Sequence, residues 1–163
     1  MKNLISFLTE ANAKSTPENT DPIKGVAESI KSGKDCGIVT KDFRKAEQII
    51  FKAAKSNGYL ILTVLCDKME PSDMVPIKVD GDLVCNTWAS PIVNNQDQKF
   101  VLFLDLTNTP DKTLNALMPV IIEKEIQQGI NCKNFIVCAL TDNEENLPKA
   151  VVSRLKPIYN IDK

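Results

Sequence analysis

The chain has 163 residues, and its 20 Lys and Arg against 21 Asp and Glu give a formal net charge of −1. This balance argues against a protein whose main task is to bind nucleic acid, because such proteins carry a basic excess or a basic stripe. His is absent, which excludes Ser-His-Asp and Cys-His catalysis, His metal ligands and proton transfer by imidazole.

The cysteines indicate a reduced, cytoplasmic protein. There are five, an odd number, and no two of them form a CxxC pair, so neither a zinc site nor a thioredoxin motif is predicted. Buried thiols that act as small apolar side chains are the simplest interpretation. The apolar stretch at the N-terminus is too short for a signal peptide. No apolar run approaches the ~20 residues of a membrane span, so we expect no membrane association.

The first part of the chain has the pattern of an arm. Residues 1–12 fit a short amphipathic helix, residues 13–22 are polar with two Pro, and residues 23–32 have weak helical periodicity. We therefore predict an N-terminal helical arm and linker over residues 1–33 and a core domain over residues 34–163.

Apolar segments and helical segments alternate through the core. The predicted strands cover residues 36–40, 59–66, 100–104, 135–140 and 158–161. The predicted helices cover residues 42–57, 110–128 and 148–155, and residues 67–98 are predicted to be irregular. Strands that are apolar throughout and separated by helices indicate a parallel sheet covered on both faces. The expected fold is a three-layer α/β/α sandwich with a mainly parallel five-stranded sheet.

Several short runs follow these elements in a fixed order. Met69-Glu70-Pro71-Ser72-Asp73 follows the second strand, Asp105 ends the third, and Asn115-Ala116-Leu117 lies in the next helix. The series ends at Val151-Val152-Ser153-Arg154-Leu155. This succession resembles the nucleotide-binding core of the AAA+ ATPases, most of all their MoxR-like branch, over roughly residues 34–161. The resemblance implies a P-loop NTPase fold.

The resemblance places a Walker A loop between the first strand and the first helix of the core. That loop needs G-x-x-x-x-G-K-[ST], so that backbone N–H groups wrap the phosphates and Lys reaches the β- and γ-phosphates. If Lys45 takes the Lys position, Val39 and Arg44 stand at the two Gly positions and Ala46 at the Ser/Thr position. Lys45 then matches the motif alone, and an ordinary solvated helix residue is the other interpretation of it.

Two further nucleotide motifs match in part. The Walker B strand of the family ends in Asp-Glu, where Asp orders Mg²⁺ and Glu polarises the attacking water. Here Asp105 matches the Asp and Leu106 replaces the Glu. Asp105 is also compatible with a turn or a helix cap. Thr141 lies at the sensor 1 position, which is usually Asn, and Asn143 follows two residues later.

Arg154 resembles the arginine finger, which in the family reaches the γ-phosphate bound by a neighbouring subunit. It is equally compatible with a helix-terminal Arg that pairs with a carboxylate or with the helix dipole. The helical lid of the family would follow the last strand, and with the sequence ending at Lys163 we expect no lid.

Two other features are candidates for partner contacts. Trp88 lies in a Pro-flanked loop, where it either contacts a partner or anchors the loop. Arg44 and Lys45 belong to a basic side of the first core helix, which opposes the helix dipole and suits an anion or an acidic partner.

These observations predict a catalytically inactive AAA+-like domain, a pseudo-ATPase with a structural, regulatory or protein-interaction role. Its expected partner is an active AAA+ ATPase or further copies of itself, and no cofactor is expected. The first alternative is a weak nucleotide-binding subunit that holds ATP and Mg²⁺ through Lys45, Asp105 and Thr141, completed in trans by a partner. The second is a small α/β ligand-binding protein. The composition also suits a phage or mobile-element protein.

Overall fold

The protein is built on one five-stranded sheet in which every neighbouring pair of strands is parallel. The structure is a computed structural model and describes residues 21–162. The strand order is β2-β5-β8-β1-β9, with β1 at Cys36–Val39, β2 at Tyr59–Leu65, β5 at Lys99–Asp105, β8 at Phe135–Thr141 and β9 at Ile158–Asn160. The predicted α/β fold with a parallel sheet is confirmed.

Helices cover both faces of the sheet. The helices are α1 (Pro22–Lys31), α2 (Phe43–Ser56), α3 (Ser90–Val93), α4 (Asp111–Glu123) and α5 (Lys149–Arg154). Alternate residues of β5 point to opposite faces, so Phe103 packs with α1 and α2, whereas Leu102 and Leu104 pack with α4 and α5. The two resulting cores flank the sheet and hold its carboxyl edge in place.

The structure contains two short hairpins in segments where the sequence pattern predicts none. Residues 67–98 contain β3 (Ile77–Val79) and β4 (Asp82–Val84), joined by Asp80 and Gly81 with φ of 50° and 85°. An Asp-Gly pair with positive φ is the turn that two-residue hairpins favour. The helix predicted to reach residue 128 ends at Glu123, because Lys124 adopts a left-handed φ of 57°. The strands β6 (Glu125–Gln127) and β7 (Ile130–Asn131) form the second hairpin instead.

Helix α1 is part of the packed unit, although the predicted division at residue 33 assigns it to the arm. Asp21 caps it by accepting a hydrogen bond from the Ile23 N–H at 3.0 Å. Val26 and Ile30 are fully buried against the core formed by α2 and the sheet. The helix predicted over residues 1–12 lies outside the described residues. Within residues 21–162, no helix has both the length and the apolar character needed to span a bilayer.

Candidate functional site

The candidate nucleotide residues converge at the carboxyl edge of the sheet. Strands β5, β8 and β1 are neighbours, with Val39 opposite Thr141 and Asp105 opposite Leu140. Because parallel strands end at the same edge, Asp105, Thr141 and the loop after β1 lie beside one another. This edge is where an open α/β sheet binds ligands.

The loop between β1 and α2 is short and closed on itself. It consists of residues 40–42, and Thr40 is buried with its N–H donating to the Thr141 carbonyl at 3.0 Å. The Asp42 N–H donates to the Thr40 hydroxyl at 3.0 Å, and the Asp42 carboxylate caps α2 by accepting from the Lys45 N–H at 3.1 Å. Phe43 and Arg44 are therefore already helical, and no extended loop is left to wrap a phosphate.

A carboxylate of the chain itself occupies the entrance of this loop. Asp162 accepts hydrogen bonds from the Thr40 hydroxyl and, at 3.0 Å, from the Lys41 N–H. These two hydrogen bonds, with the nearby charges of Lys45 and Lys41, lower the pKa of Asp162. The Lys41 N–H and the Thr40 hydroxyl are thus paired with the carboxylate of Asp162, an anion of the chain itself.

Lys45 is also engaged by the chain that follows β9. Its Nζ donates to the Ile161 carbonyl at 2.7 Å, and the Ile161 N–H donates to the Val39 carbonyl at 3.1 Å. The ammonium group that the resemblance assigns to phosphate binding therefore holds down the segment that carries Asp162. Arg44, which the resemblance places at a Gly position of the Walker A loop, is exposed. The Lys41 N–H and the Lys45 ammonium group are both paired within the chain.

Asp105 and Leu106 have different surroundings at the end of β5. The Asp105 carboxylate accepts from the Thr107 N–H at 3.0 Å, which makes it a turn residue. It lies close enough to Cys66 to add to the effect of burial, which raises the pKa of that thiol to about 12. The Leu106 side chain is 3% exposed and packs in the core with α4 and α5. It leaves no group at this position to orient a water molecule.

Thr141 is satisfied locally. Its hydroxyl donates to the Asn143 carbonyl at 3.0 Å and accepts from the Asn143 N–H at 3.2 Å. The Asn143 side chain in turn caps the short helical turn Glu144–Asn146. A cavity of about 940 Å³ opens beside this edge, and its lining includes Asp142, Glu144 and Glu145. Lys149 and Lys156 also line this cavity, so its lining combines carboxylates with ammonium groups.

Arg154 lies at the opposite, amino edge of the sheet. It ends α5, and its Nε is 3.8 Å from an Asp35 carboxylate oxygen while its side chain stays 48% exposed. Asp35 is almost buried and also accepts from Lys124 Nζ at 2.6 Å and from the Val137 N–H at 2.9 Å. Arg154 is thus separated from Lys45, Asp105 and Thr141, which lie at the carboxyl edge.

Trp88 anchors the long segment between β2 and β5. Its indole N–H donates to the Asp73 carbonyl at 2.8 Å, and its half-buried ring packs against the core on the α4 side. Buried Gln127 donates to the same carbonyl at 2.8 Å and accepts from the Asn86 N–H. The loop and the hairpin β6–β7 are joined at this point, which favours the anchoring interpretation of Trp88.

Sequence reasoning missed Asp162, Asp35 and Lys124. Asp162 contacts residues that are more than 120 positions earlier in the chain, and Lys124 pairs with Asp35 across 89 positions. Neither pair has a local signal. Only the order of the strands could have indicated that residues after β9 meet the loop after β1, since these two strands are neighbours.

Comparison with known proteins identifies the fold. No protein-family model and no curated protein matches the chain. Among solved structures, a RuvB mutant from Thermotoga maritima superposes with a TM-score of 0.57 at 15% identity, over 85% of this chain and 43% of that one. NtrX from Brucella abortus gives a TM-score of 0.57 at 12% identity, over 98% and 40%. Cdc6p from Pyrobaculum aerophilum gives 0.52 at 10% identity, over 90% and 47%.

These neighbours are AAA+ P-loop ATPases, and the chain has the fold of their core. It spans less than half the length of each of the three.

Proposed function

We propose that this chain is a catalytically inactive AAA+-like domain, a pseudo-ATPase of the MoxR-like branch that acts through protein interactions. The observation that carries the proposal is the Asp162 carboxylate at the loop after β1, hydrogen-bonded to Thr40 and Lys41. A triphosphate would have to displace this internal anion and the Lys45–Ile161 hydrogen bond. Like charges at such short range repel each other, so nucleotide binding is disfavoured.

The chain also lacks a group that would orient the attacking water for hydrolysis. An attacking water needs a carboxylate or amide to orient it, and the residue after Asp105 is Leu106, whose side chain is buried in the core. A nucleotide that did bind would therefore not be hydrolysed efficiently by this chain alone.

Titration with a fluorescent ATP analogue in the presence of Mg²⁺ tests the proposal. We expect no binding up to millimolar nucleotide, and micromolar binding would overturn the pseudo-ATPase assignment. A parallel titration of the Asp162→Ala variant measures how much of the exclusion comes from the internal carboxylate, and Asp97→Ala is its exposed control. Improved binding by Asp162→Ala alone supports the role given to Asp162.

The proposed partner is an active AAA+ ATPase or another copy of this chain, to which Arg154 is presented. The Arg154 side chain is 48% exposed and has a long contact of 3.8 Å to Asp35, so its guanidinium can turn toward a neighbouring subunit. With a partner in hand, Arg154→Ala is expected to abolish stimulation of the partner's ATPase activity. An unchanged rate would remove this role, and Lys149→Ala on the same helix serves as the control.

A second candidate function rests on a separate observation. Lys45, Asp105 and Thr141 are brought to one edge of the sheet, the arrangement that a weak nucleotide-binding subunit completed in trans would need. The same titration, repeated with a partner chain present, decides between the two. Binding that appears only with the partner would establish the second function.

A further inference from the structure

A groove with an apolar floor runs between α1 and α2 on the outer surface of the molecule. It encloses about 500 Å³. Its floor is formed by Ile23 and Ala27 from α1 and by Ile49 and Ala53 from α2. Ile23 is 40% exposed. The two helices therefore leave an apolar strip open to the surface.

The rims of this groove are basic. Lys24 and Lys31 line it from α1, Lys45 and Lys52 line it from α2, and Glu28 is the one acidic side chain in the lining. Ion pairs within residues 21–162 are confined to those of Asp35 with Lys124 and Arg154. Among the groove lysines, Lys45 donates to the Ile161 carbonyl. In the described part of the chain Lys24, Lys31 and Lys52 have no carboxylate partner, so the groove has a positive rim around an apolar floor.

Helix stability explains this distribution of charge only in part. Lys31 lies in the last turn of α1, where the helix dipole favours it, and Asp21 and Asp42 cap the two N-termini. Neither α1 nor α2 has an acidic residue in its first turn, whereas Arg44 and Lys45 lie in the first turn of α2. Basic groups at a helix N-terminus oppose the helix dipole. A partner that brings negative charge to the rims would offset this repulsion.

We propose that the groove binds an acidic amphipathic helix of a partner protein. An amphipathic helix in an apolar groove is a recurring mode of peptide recognition. The ten residues of α1 give a contact length of about 15 Å, or about three turns of a bound helix. Leu or Ile at positions i, i+3, i+4 and i+7 would cover Ile23 and Ile49, and Asp or Glu on the flanks would meet Lys24 and Lys52. This proposal deepens the protein-interaction role above by naming the chemistry of the partner.

Charge complementarity distinguishes an acidic helix of a partner from the chain's own first residues as the occupant of the groove. Residues 1–12 contain Lys2 and Glu10 as their charged side chains, so they bring no acidic excess to a groove with four lysines and one glutamate. Opposite charge steers encounter and selects partners. The groove therefore favours a separate acidic helix over the chain's own first residues.

Fluorescence anisotropy with synthetic peptides tests the proposal on the full chain without nucleotide. The probe is a labelled amphipathic peptide of about 18 residues, long enough for helix formation, with Glu flanking a Leu stripe. A second peptide has Lys in place of every Glu. We expect the acidic peptide to bind at least about tenfold more tightly than the basic one. The Lys24→Glu/Lys52→Glu variant is expected to reverse that preference.

Matched charge-reversal variants test whether the peptide binds in the groove. Lys55→Glu/Lys112→Glu makes the same change in net charge at exposed residues outside the groove, and it is expected to keep the acidic preference. Equal affinity for the two peptides, or an equal effect of the two charge-reversal variants, overturns the proposal. Failure of the wild-type chain to bind the acidic peptide also overturns it. Contacts of Leu4 and Leu8 with Ile23, measured by NMR, would then identify the chain's own first residues as the occupant. This outcome leaves the nucleotide titration unaffected, so the two proposals fail separately.

Discussion

The Nζ atom of Lys45 donates a 2.7 Å hydrogen bond to the carbonyl of Ile161, which lies 116 positions later in the chain. This contact ties the start of α2 to the segment after β9 and places Asp162 over the loop after β1. The lysine that the resemblance assigns to phosphate binding donates here to the protein's own backbone. The Lys45 side chain therefore contributes both to the stability of the fold and to the proposed loss of activity.

Removing the Lys45 side chain should affect stability and leave nucleotide binding undetectable. Lys45→Ala deletes one hydrogen bond from a charged donor, so we expect a loss of about 1 kcal/mol in the free energy of unfolding. Urea denaturation measures it, with the exposed Lys55→Ala variant on the same helix as control. A P-loop lysine would show the opposite pattern, with binding lost and stability kept.

The Asp162 carboxylate should make stability dependent on pH. Its pKa is lowered in the folded chain from the ordinary value of 3.8, chiefly by the hydrogen bond from Thr40. Such a group stabilises the fold above pH 3.8, and this contribution is lost as pH falls through the lower folded pKa. Asp162→Asn should therefore lower the urea midpoint at neutral pH, and the difference from wild type should vanish in strong acid. A difference that stays constant with pH, or an equal effect of Asp97→Asn, would contradict this role.

Removing the nearly buried carboxylate of Asp35 should strongly lower the free energy of unfolding. It accepts hydrogen bonds from Lys124 Nζ and from the Val137 N–H, and burial already lowers the pKa of Lys124. Asp35→Ala leaves a desolvated ammonium without its partner, for which we expect a loss of about 3 kcal/mol. The double variant Asp35→Ala/Lys124→Met removes the charge of Lys124 as well and should cost clearly less. Equal losses in urea denaturation would show that the charge of Lys124 is irrelevant.

Placing a glutamate at position 106, where the resemblance expects the Walker B glutamate, should not produce hydrolysis. Leu106 is 3% exposed, so Leu106→Glu places a carboxyl group in an apolar core and is expected to destabilise the fold by about 3 kcal/mol. Phosphate release and urea denaturation measure the two effects. Thr107→Glu, at the half-buried neighbouring position, is the control for adding a carboxylate. Hydrolysis gained by Leu106→Glu would show that the site still holds nucleotide.

The five strands of the sheet and their parallel direction are the part of this structure that local patterns predict well. Continuous apolar runs such as Phe135–Thr141 are buried on both faces, and that burial is visible in the sequence because it needs only residue type. The hairpin β6–β7 was not predicted, since Glu125, Gln127 and Asn131 have no strand periodicity. What fixes it is the left-handed turn at Lys124 and the hydrogen bonds of Gln127 to the Asp73 and Asn86 backbone.

The sequence by itself determined that the chain forms a parallel α/β sheet, and through the resemblance it predicted a Lys45 without the glycines of a P-loop and a Leu106 in place of a glutamate. These conclusions depend on residue identity and spacing along the chain. Only the tertiary structure decided what Lys45 and its loop contact, because Asp162 reaches Thr40 through the pairing of β9 with β1. Electrostatic and hydrogen-bond partners depend on distance in space, and the fold brings together groups that no local pattern connects.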